Sequence, residues 1–316
     1  MDAAILSASS KHPKPADRTF QYGTAGFRMK ANLLDSVVFR VGLIAALRSR
    51  KLGGQTIGVM ITASHNPPED NGVKLVDPMG EMLEQAWEVY STELANAPDE
   101  TIVEVYRKLE KELKVNGETP ARVIFGRDTR PSGPKLVTAL VDALEATGAE
   151  YTDYKLLTTP QLHYLTRCTN TEGTPQSYGE VSEKGYYEKL GEAFVRAMKG
   201  KKSVGPVTVD CANGVGGPKL TELLKYLPKG SEGGVDIRII NDDVLKAEVL
   251  NHEVYPSCAS QLSNTKLYSA AQTTSKRNNV HHHPRKLVTT NDAVPSMAMP
   301  TALSTTSTIL STVSAS

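Results

Sequence analysis

Short apolar runs recur along this chain, each followed by a polar loop and then by a stretch with helical spacing. The runs are QTIGVMI (55–61), RVIFG (122–126) and PVTVD (206–210). A β-branched run of this length, bounded by turn residues, is typical of a buried strand. Strands that alternate with helices form sheets with helices on their faces. The pattern therefore predicts an α/β fold, and open α/β sheets carry their chemistry on the loops that follow the strands.

Helices are predicted where apolar residues repeat every three or four positions. The first begins with Asp35 or Ser36 as its N-cap and stops before Gly53. The helix after 122–126 takes Ser132 as its cap and ends at Gly148. The same patterns predict helices over 81–97, 103–114, 161–166, 183–200 and 219–227, and strands over 151–157 and 235–241. The last strand is expected to pair in parallel with 206–210.

Composition and charge exclude several classes of function. A net charge of +1 provides no basic field, so we predict no nucleic-acid partner. No run of about 18 apolar residues is present, so we predict no membrane segment. Three widely spaced cysteines do not form a disulfide framework, and the N-terminus lacks the apolar core of a signal peptide. A cytoplasmic location is the expectation.

The chain changes character twice along its length. Residues 169–180 are polar and rich in turn formers, which indicates a boundary between two domains. Of the 35 acidic residues only Asp292 lies beyond residue 253, and serine and threonine become frequent there. We therefore predict a first α/β domain over 1–175, a partial second domain over 176–253, and a disordered Ser/Thr-rich tail over 254–316.

The segment TASHNPPEDNGVK (62–74) is the strongest candidate for chemistry. Ser64 comes directly after a predicted strand. Pro67 and Pro68 predict a stiff, extended loop, because proline fixes φ and disfavours helix in the residue before it. Asn71-Gly72 predicts a turn. Together these features hold a hydroxyl on a rigid loop at the end of a strand.

A phosphate carrier explains this hydroxyl better than a hydrolase. Ser64 and His65 are neighbours on a predicted extended segment, so they would point to opposite sides and would not form a nucleophile–base pair. A phosphoserine carries nearly two negative charges and needs cations around it. The candidate cations, all predicted to lie in loops, are Arg28, Lys74, Arg127 and Arg130.

Five motifs in order resemble the α-D-phosphohexomutase superfamily. They are YGTAGFR (22–28), TASHNP (62–67), NGVK (71–74), GRDTRPSG (126–133) and VDCANGVGG (209–217). The first two are similar in spelling to the branch that acts on N-acetylglucosamine phosphates. The resemblance implies a phosphohexomutase-type mixed-sheet domain I over 1–175, followed by an incomplete domain II over 176–253.

The resemblance also implies an activity and a role for each motif residue. Phosphate would move between the 6- and 1-hydroxyls of N-acetylglucosamine through a bisphosphate, toward UDP-N-acetylglucosamine, with Ser64 as the phosphoserine. Charge neutralisation and in-line placement would supply most of the catalysis. The implied roles are these: His65 and Asn66 position the loop, Arg28 and Lys74 neutralise charge or aid proton transfer, and Arg127, Asp128 and Arg130 brace the site.

The resemblance implies Mg²⁺ as the cofactor, bound to the Ser64 phosphate and to three carboxylates of a D-G-D-x-D-R loop. That loop is absent from the sequence, and the adjacent Asp242 and Asp243 do not replace it. We therefore expect a truncated mutase with very low activity. Two alternatives stay open: a phosphoglucomutase or phosphomannomutase specificity, and a non-catalytic fragment that binds a full-length mutase.

Overall fold

The computed structural model describes residues 1–23, 26–202 and 206–251. The predicted disordered tail, 254–316, lies outside these residues. The helices are α1 Asp2–Ser9, α2 Asp35–Lys51, α3 Gln85–Asn96, α4 Ile102–Glu112, α5 Gly133–Ala146, α6 Thr159–Thr171, α7 Glu183–Met198 and α8 Gly216–Leu223. The strands are β1 Phe27–Lys30, β2 Thr56–Ile61, β3 Asp70–Val76, β4 Arg122–Arg127, β5 Glu150–Leu156, β6 Val207–Asp210 and β7 Ile237–Ile240.

Five strands form one mixed sheet in the order β1-β3-β2-β4-β5. β2 pairs in parallel with β4, and β4 with β5, while β3 runs antiparallel to both β1 and β2. Ile61 and Arg127, the last residues of β2 and β4, are register partners. The loops that follow these two strands therefore leave the same edge side by side, and the predicted mixed-sheet α/β fold is confirmed.

Alternate residues of β2 enter two different apolar cores. Ile57, Val59 and Ile61 belong to the core that includes α2 and α5, whereas Met60 belongs to the core beneath α6. Gly58 also faces α6, where a Cβ atom would lie 2.5 Å from the Thr166 hydroxyl. Helices cover both faces of the sheet, which explains why β2 is a continuous apolar run.

β6 and β7 form a separate two-stranded parallel sheet, and its parallel pairing agrees with the prediction. The helices beside it, α7 and α8, contribute Tyr186, Tyr187 and Leu220 to the core beneath α6. We call this core, which also contains Leu162 and Leu165 of α6, the shared cluster. Apolar residues from before and after the polar segment that follows α6 therefore pack in one core.

The predicted turn at Asn71-Gly72 is wrong, because both residues lie inside β3. Gly72 is required there by a close approach of backbones: a Cβ would meet the carbonyl oxygens of Thr62 at 2.7 Å and Phe27 at 2.8 Å. The prediction that Arg28, Lys74 and Arg127 lie in loops is also wrong. Arg28 is in β1, Lys74 is in β3 and Arg127 is the last residue of β4.

The N-terminal region differs from the prediction in two respects. α1 was not predicted. α2 has Leu34 as its N-cap rather than Asp35 or Ser36, and no side chain caps it. Asp35 is used elsewhere: its carboxylate hydrogen-bonds the Nδ1 of buried His12 at 2.8 Å, and Asp142 hydrogen-bonds the Nε2 at 3.0 Å. Tertiary contacts therefore override the capping preference of this side chain.

Helix α6 is longer than the predicted 161–166. It begins at Thr159, where the Gln161 side chain accepts the backbone N–H of Thr158 at 2.9 Å, and it ends at Thr171. Ser132 takes the N-cap position of α5 as predicted, but its side chain makes no cap hydrogen bond. In the ranges that the structure covers, no helix has the combination of length and apolarity that a membrane crossing needs.

Candidate active site

The loop between β2 and β3 is built from two consecutive turns. The Asn66 N–H donates to the Ala63 carbonyl at 3.1 Å, and the Asp70 N–H donates to the Pro67 carbonyl at 3.0 Å. Ser64 has φ 55°, a left-handed conformation that is uncommon for a residue with a side chain. The prediction of an extended segment is therefore wrong, although the expected placement of a half-buried Ser64 after a buried strand is correct.

Arg130 holds this loop from the neighbouring one. Its guanidinium donates to four backbone carbonyls: Ser64 at 2.7 Å, Asn66 at 2.9 Å, Pro67 at 2.6 Å and Asp70 at 2.9 Å. The side chain is only 1% exposed. A planar group with several donors in fixed directions can satisfy many acceptors at once, so one residue determines the path of the whole loop.

Asp128 completes this brace. Its carboxylate accepts from the Arg130 Nε at 3.0 Å and from the Thr62 hydroxyl at 2.7 Å. The Thr62 hydroxyl oxygen in turn accepts the Ser64 backbone N–H at 3.2 Å. A buried carboxylate thus orients a hydroxyl that orients the backbone of Ser64. Thr62 was not predicted as a site residue, because a threonine by itself does not indicate that its hydroxyl will orient a neighbouring backbone N–H.

Arg28 and Lys74 place positive charge at the same site. The Arg28 guanidinium donates to the Asn66 side-chain oxygen at 3.3 Å. Burial, followed by the nearby charge of Arg130, lowers the pKa of Arg28. Burial, followed by the charge of Arg28, lowers the pKa of Lys74 to about 8. Within the described ranges neither side chain forms an ion pair with a carboxylate, and Asp70 is the one acidic residue whose charge acts on Arg28 there.

The remaining predicted residues lie around this centre. His65 follows Ser64 in the first turn and is half-buried. Asn66 connects the loop to β1 and to the start of β3, because its side chain accepts from Arg28 and donates to the Asp70 carboxylate at 3.0 Å. Arg127 is not brought to Ser64 by any hydrogen bond: its guanidinium donates to the carbonyl of the next residue, Asp128, at 3.3 Å.

The described residues do not fit the expected magnesium site. No group of three His, Cys, Asp or Glu side chains that could hold a metal ion occurs in ranges 1–23, 26–202 and 206–251. Asp242 and Asp243, the sequence candidates considered for this role, follow β7 and are exposed. We therefore derive no step of the chemistry through a metal bound by these residues.

Comparison with known proteins agrees with this geometry. The family described as phosphoglucomutase/phosphomannomutase, alpha/beta/alpha domain I, matches residues 43–101 and 92–174. Phosphoacetylglucosamine mutase of Sus scrofa is 49% identical over 243 residues, which cover 76% of this chain and 43% of the pig protein. The matched family and the pig enzyme agree with the superfamily that the five motifs resemble.

Solved structures give the same result. Aspergillus fumigatus N-acetylphosphoglucosamine mutase matches with a TM-score of 0.78 and 60% identity over 84% of this chain and 48% of that one. A complex of that mutase with GlcNAc-6P and magnesium matches with a TM-score of 0.74 and 62% identity, over 79% of this chain and 46% of that one. The chain therefore spans less than half the length of the pig and A. fumigatus proteins.

The fold, the Ser64 loop and these matches define a class: the chain belongs to the α-D-phosphohexomutase superfamily. Within that superfamily, the relatives reported above are phosphoacetylglucosamine mutases.

Proposed function

We propose that this chain is the phosphoserine-bearing part of a phosphoacetylglucosamine mutase, with Ser64 as the carrier of the phosphoryl group. One observation carries the proposal. Ser64 lies on a loop that is braced by Arg130 and contacted by Arg28, with Lys74 near Arg28, and neither Arg28 nor Lys74 forms an ion pair with a carboxylate in the described ranges. Such a surplus of positive charge suits a group that gains and loses a phosphate.

In the proposed reaction, phosphoserine 64 transfers its phosphoryl group to the 1-hydroxyl of N-acetylglucosamine 6-phosphate. The Ser64 Oγ–P bond breaks, a bond from the sugar oxygen to phosphorus forms, and the hydroxyl proton moves to a base on its way to the serine oxygen. The bisphosphate then returns its 6-phosphoryl group to Ser64 and leaves as the 1-phosphate. Lys74 is the candidate for proton transfer, because a pKa of about 8 lies close to neutral pH.

Arg28 and Arg130 have different parts in this proposal. Arg28 offers charge to the transferring phosphoryl group, whereas Arg130 has its donors occupied by the loop and Asp128, and acts by holding Ser64 in place. His65 and Asn66 position the loop, and Arg127 and Asp128 brace it. A Mg²⁺ ion, as in the complex of the A. fumigatus mutase, would need carboxylates that the described ranges do not supply. We expect a sugar phosphate as the substrate and the cytoplasm as the location.

The test is phosphate uptake at one serine. Purified protein is incubated with glucose 1,6-bisphosphate and Mg²⁺, and the mass of the intact protein and of its peptides is followed over time. We expect one phosphate, located on Ser64, and none in the Ser64→Ala variant. Ser132→Ala is the matched control, since Ser132 lies on the adjacent loop and donates nothing to Ser64. Phosphate on another residue, or none on wild type, would contradict the proposal.

A second candidate function is supported by the small sheet. β6 and β7 pair only with each other within the described ranges, so each has an edge to which a further strand could add. A non-catalytic role, binding a full-length mutase by that edge, would give co-purification of the two proteins and no phosphate uptake at Ser64.

The similarity to phosphoacetylglucosamine mutases favours the N-acetylglucosamine specificity over the phosphoglucomutase and phosphomannomutase alternatives.

A further inference from the structure

Asn251 reaches the Ser64 loop from a distant part of the chain. Its side-chain amide nitrogen donates to the Ser64 carbonyl at 2.7 Å and to the Asn66 carbonyl at 2.9 Å. The residue is buried, with 8% of its surface exposed. Sequence reasoning did not identify Asn251, because a single asparagine after an apolar residue has no distinctive pattern.

The backbone of Asn251 is fixed to the loop after β6. Its N–H donates to the Ala212 carbonyl at 3.0 Å, and the Ala212 N–H donates to the Asp210 carboxylate at 2.8 Å. Asn251 has φ 55°, a left-handed conformation that asparagine tolerates better than most residues. The side chain is therefore aimed at the Ser64 loop by the segment that contains β6, not by the five-stranded sheet.

Arg130 and Asn251 donate to the same two carbonyls. Arg130 Nη2 contacts the Ser64 and Asn66 oxygens at 2.7 and 2.9 Å, and Asn251 Nδ2 contacts the same oxygens at the same two distances. Each carbonyl oxygen has two lone pairs, so both donors can be accepted. The first turn of the loop is thus held between one donor from each part of the molecule.

We propose that Asn251 is a positioning residue for Ser64. Its amide, together with Arg130, maintains the left-handed backbone at Ser64 and so fixes the direction of the hydroxyl. A residue in this sparsely populated conformation persists only when its surroundings over-determine it, and two independent donors on the Ser64 carbonyl provide that. The consequence for phosphoryl transfer rests on the function proposed above, whereas the backbone role does not.

The amide group is essential to this role. Its two N–H hydrogens point to two different carbonyls, which a carboxylate of the same shape cannot do because it has no hydrogen to donate. The two carbonyl oxygens also determine the orientation of the amide, because they would repel the Asn251 side-chain oxygen if it took the place of the nitrogen. Asn251→Asp should therefore displace the loop, and Asn251→Gly should release it without straining the backbone at this positive φ.

Asn241→Gly is a matched control. Asn241 lies in the same part of the molecule and also has a positive φ, 50°, but its amide donates to the exposed Asp210 carboxylate at 3.0 Å and not to the Ser64 loop. Both glycine variants relieve a left-handed asparagine and remove an amide. A change seen in Asn251→Gly and not in Asn241→Gly therefore reports the contact with the loop.

The deciding measurement is made on the full chain by NMR and hydrogen exchange. The ¹³C shift of the Ser64 carbonyl, detected through the His65 N–H, is expected to move in Asn251→Gly and Asn251→Asp and to stay unchanged in Asn241→Gly. Exchange of the loop amides, including Asn66 and Asp70, is expected to accelerate about tenfold in the Asn251 variants, corresponding to two lost hydrogen bonds. An unchanged carbonyl shift in Asn251→Gly overturns the proposal.

Phosphate uptake from glucose 1,6-bisphosphate provides the functional readout. We expect it to slow about tenfold in Asn251→Gly and to be unaffected in Asn241→Gly. Equal uptake rates in Asn251→Gly and wild type overturn the positioning role. If wild type takes up no phosphate, the proposed function fails, and the carbonyl shift still decides whether Asn251 sets the Ser64 backbone.

Discussion

The loop after β2 and the loop after β6 have similar backbones and opposite electrostatics. Ser64 in the first has φ 55°, and Ala212 and Asn213 in the second have φ 49° and 56°. Beside the first, burial and then the charge of Arg28 lower the pKa of Lys74 to about 8. In the second, burial and then the carboxylates of Asp210 and Asp242 raise the pKa of the Cys211 thiol to about 11.

The comparison shows that backbone shape alone does not create a site for phosphate. Left-handed residues at the end of a strand occur in both loops, yet the first lies beside Arg28 and Arg130 and the second beside Asp210 and Asp242. The second stabilises positive charge and would repel an anion. Its contribution to the proposed chemistry is indirect: it carries the backbone to which Asn251 is attached.

The largest expected effect is on the brace of the first loop. Arg130→Ala removes the donor to four carbonyls and leaves the buried Asp128 carboxylate unpaired. Losing one partner of a buried pair costs about 3–5 kcal/mol, so we expect the free energy of unfolding in urea to fall by about that amount. Arg196→Ala is the control, because the exposed Arg196 pairs only with Glu192 in the same helix. A loss equal to that of the control would show that the brace is not structural.

Lys74→Met tests the cost of burying a charged lysine near Arg28. The pKa of Lys74 is about 8 in the folded protein against an ordinary value of 10.5, so the charged form opposes folding at neutral pH. We expect Lys74→Met to be more stable than wild type by about 2 kcal/mol at pH 7.

The pH dependence of that difference has a definite sign. Between pH 8 and 10.5 the unfolded chain binds more protons at Lys74 than the folded one, so wild-type stability rises with pH and the advantage of Lys74→Met shrinks. Urea unfolding across this window measures it, with Lys51→Met, an exposed lysine at the end of α2, as the control. A destabilised Lys74→Met at pH 7 would contradict the assignment.

The smallest expected effect is in the second loop. Ala212→Gly relieves a left-handed residue with a side chain, so we expect stabilisation of about 0.5 kcal/mol after the entropy of glycine in the unfolded chain is subtracted. Ala193→Gly, in the middle of α7, should instead destabilise by about 1 kcal/mol. Equal losses in both variants would indicate that the conformation at Ala212 carries no strain.

Sequence reasoning predicted the elements that depend on local pattern. β2, β4 and the helices α3, α4, α5 and α7 have clear apolar periodicity, and they were located to within a few residues. α1, β1 and β3 were not predicted: α1 (DAAILSAS) shows no separate polar and apolar faces, and β1 (FRMK) and β3 (DNGVKLV) carry charged residues and contain no continuous apolar run. The turn signal at Asn71-Gly72 failed since glycine can serve close packing of strands as well as a turn.

The candidate site was predictable in its residue types but not in its geometry. Ser64, Arg28, Lys74 and Arg130 were named from motifs; Arg28 and Arg130 hydrogen-bond the Ser64 loop, and Lys74 lies near Arg28. The left-handed backbone at Ser64 and the contact from Asn251 depend on residues far apart in the chain. Such contacts are decided by tertiary packing, which no local window of sequence contains.

The shared cluster has a consequence for how this architecture can vary. Leu162 and Leu165 of α6 pack in one core with Tyr186, Tyr187 and Leu220 from beyond the polar segment that follows α6. Recombination at that segment would place α6 beside residues whose side chains do not pack against it. Replacing the part of the chain after this segment would therefore preserve the core only if the apolar side chains of α6 were replaced to match. We expect α6 and the elements that follow it to have evolved together.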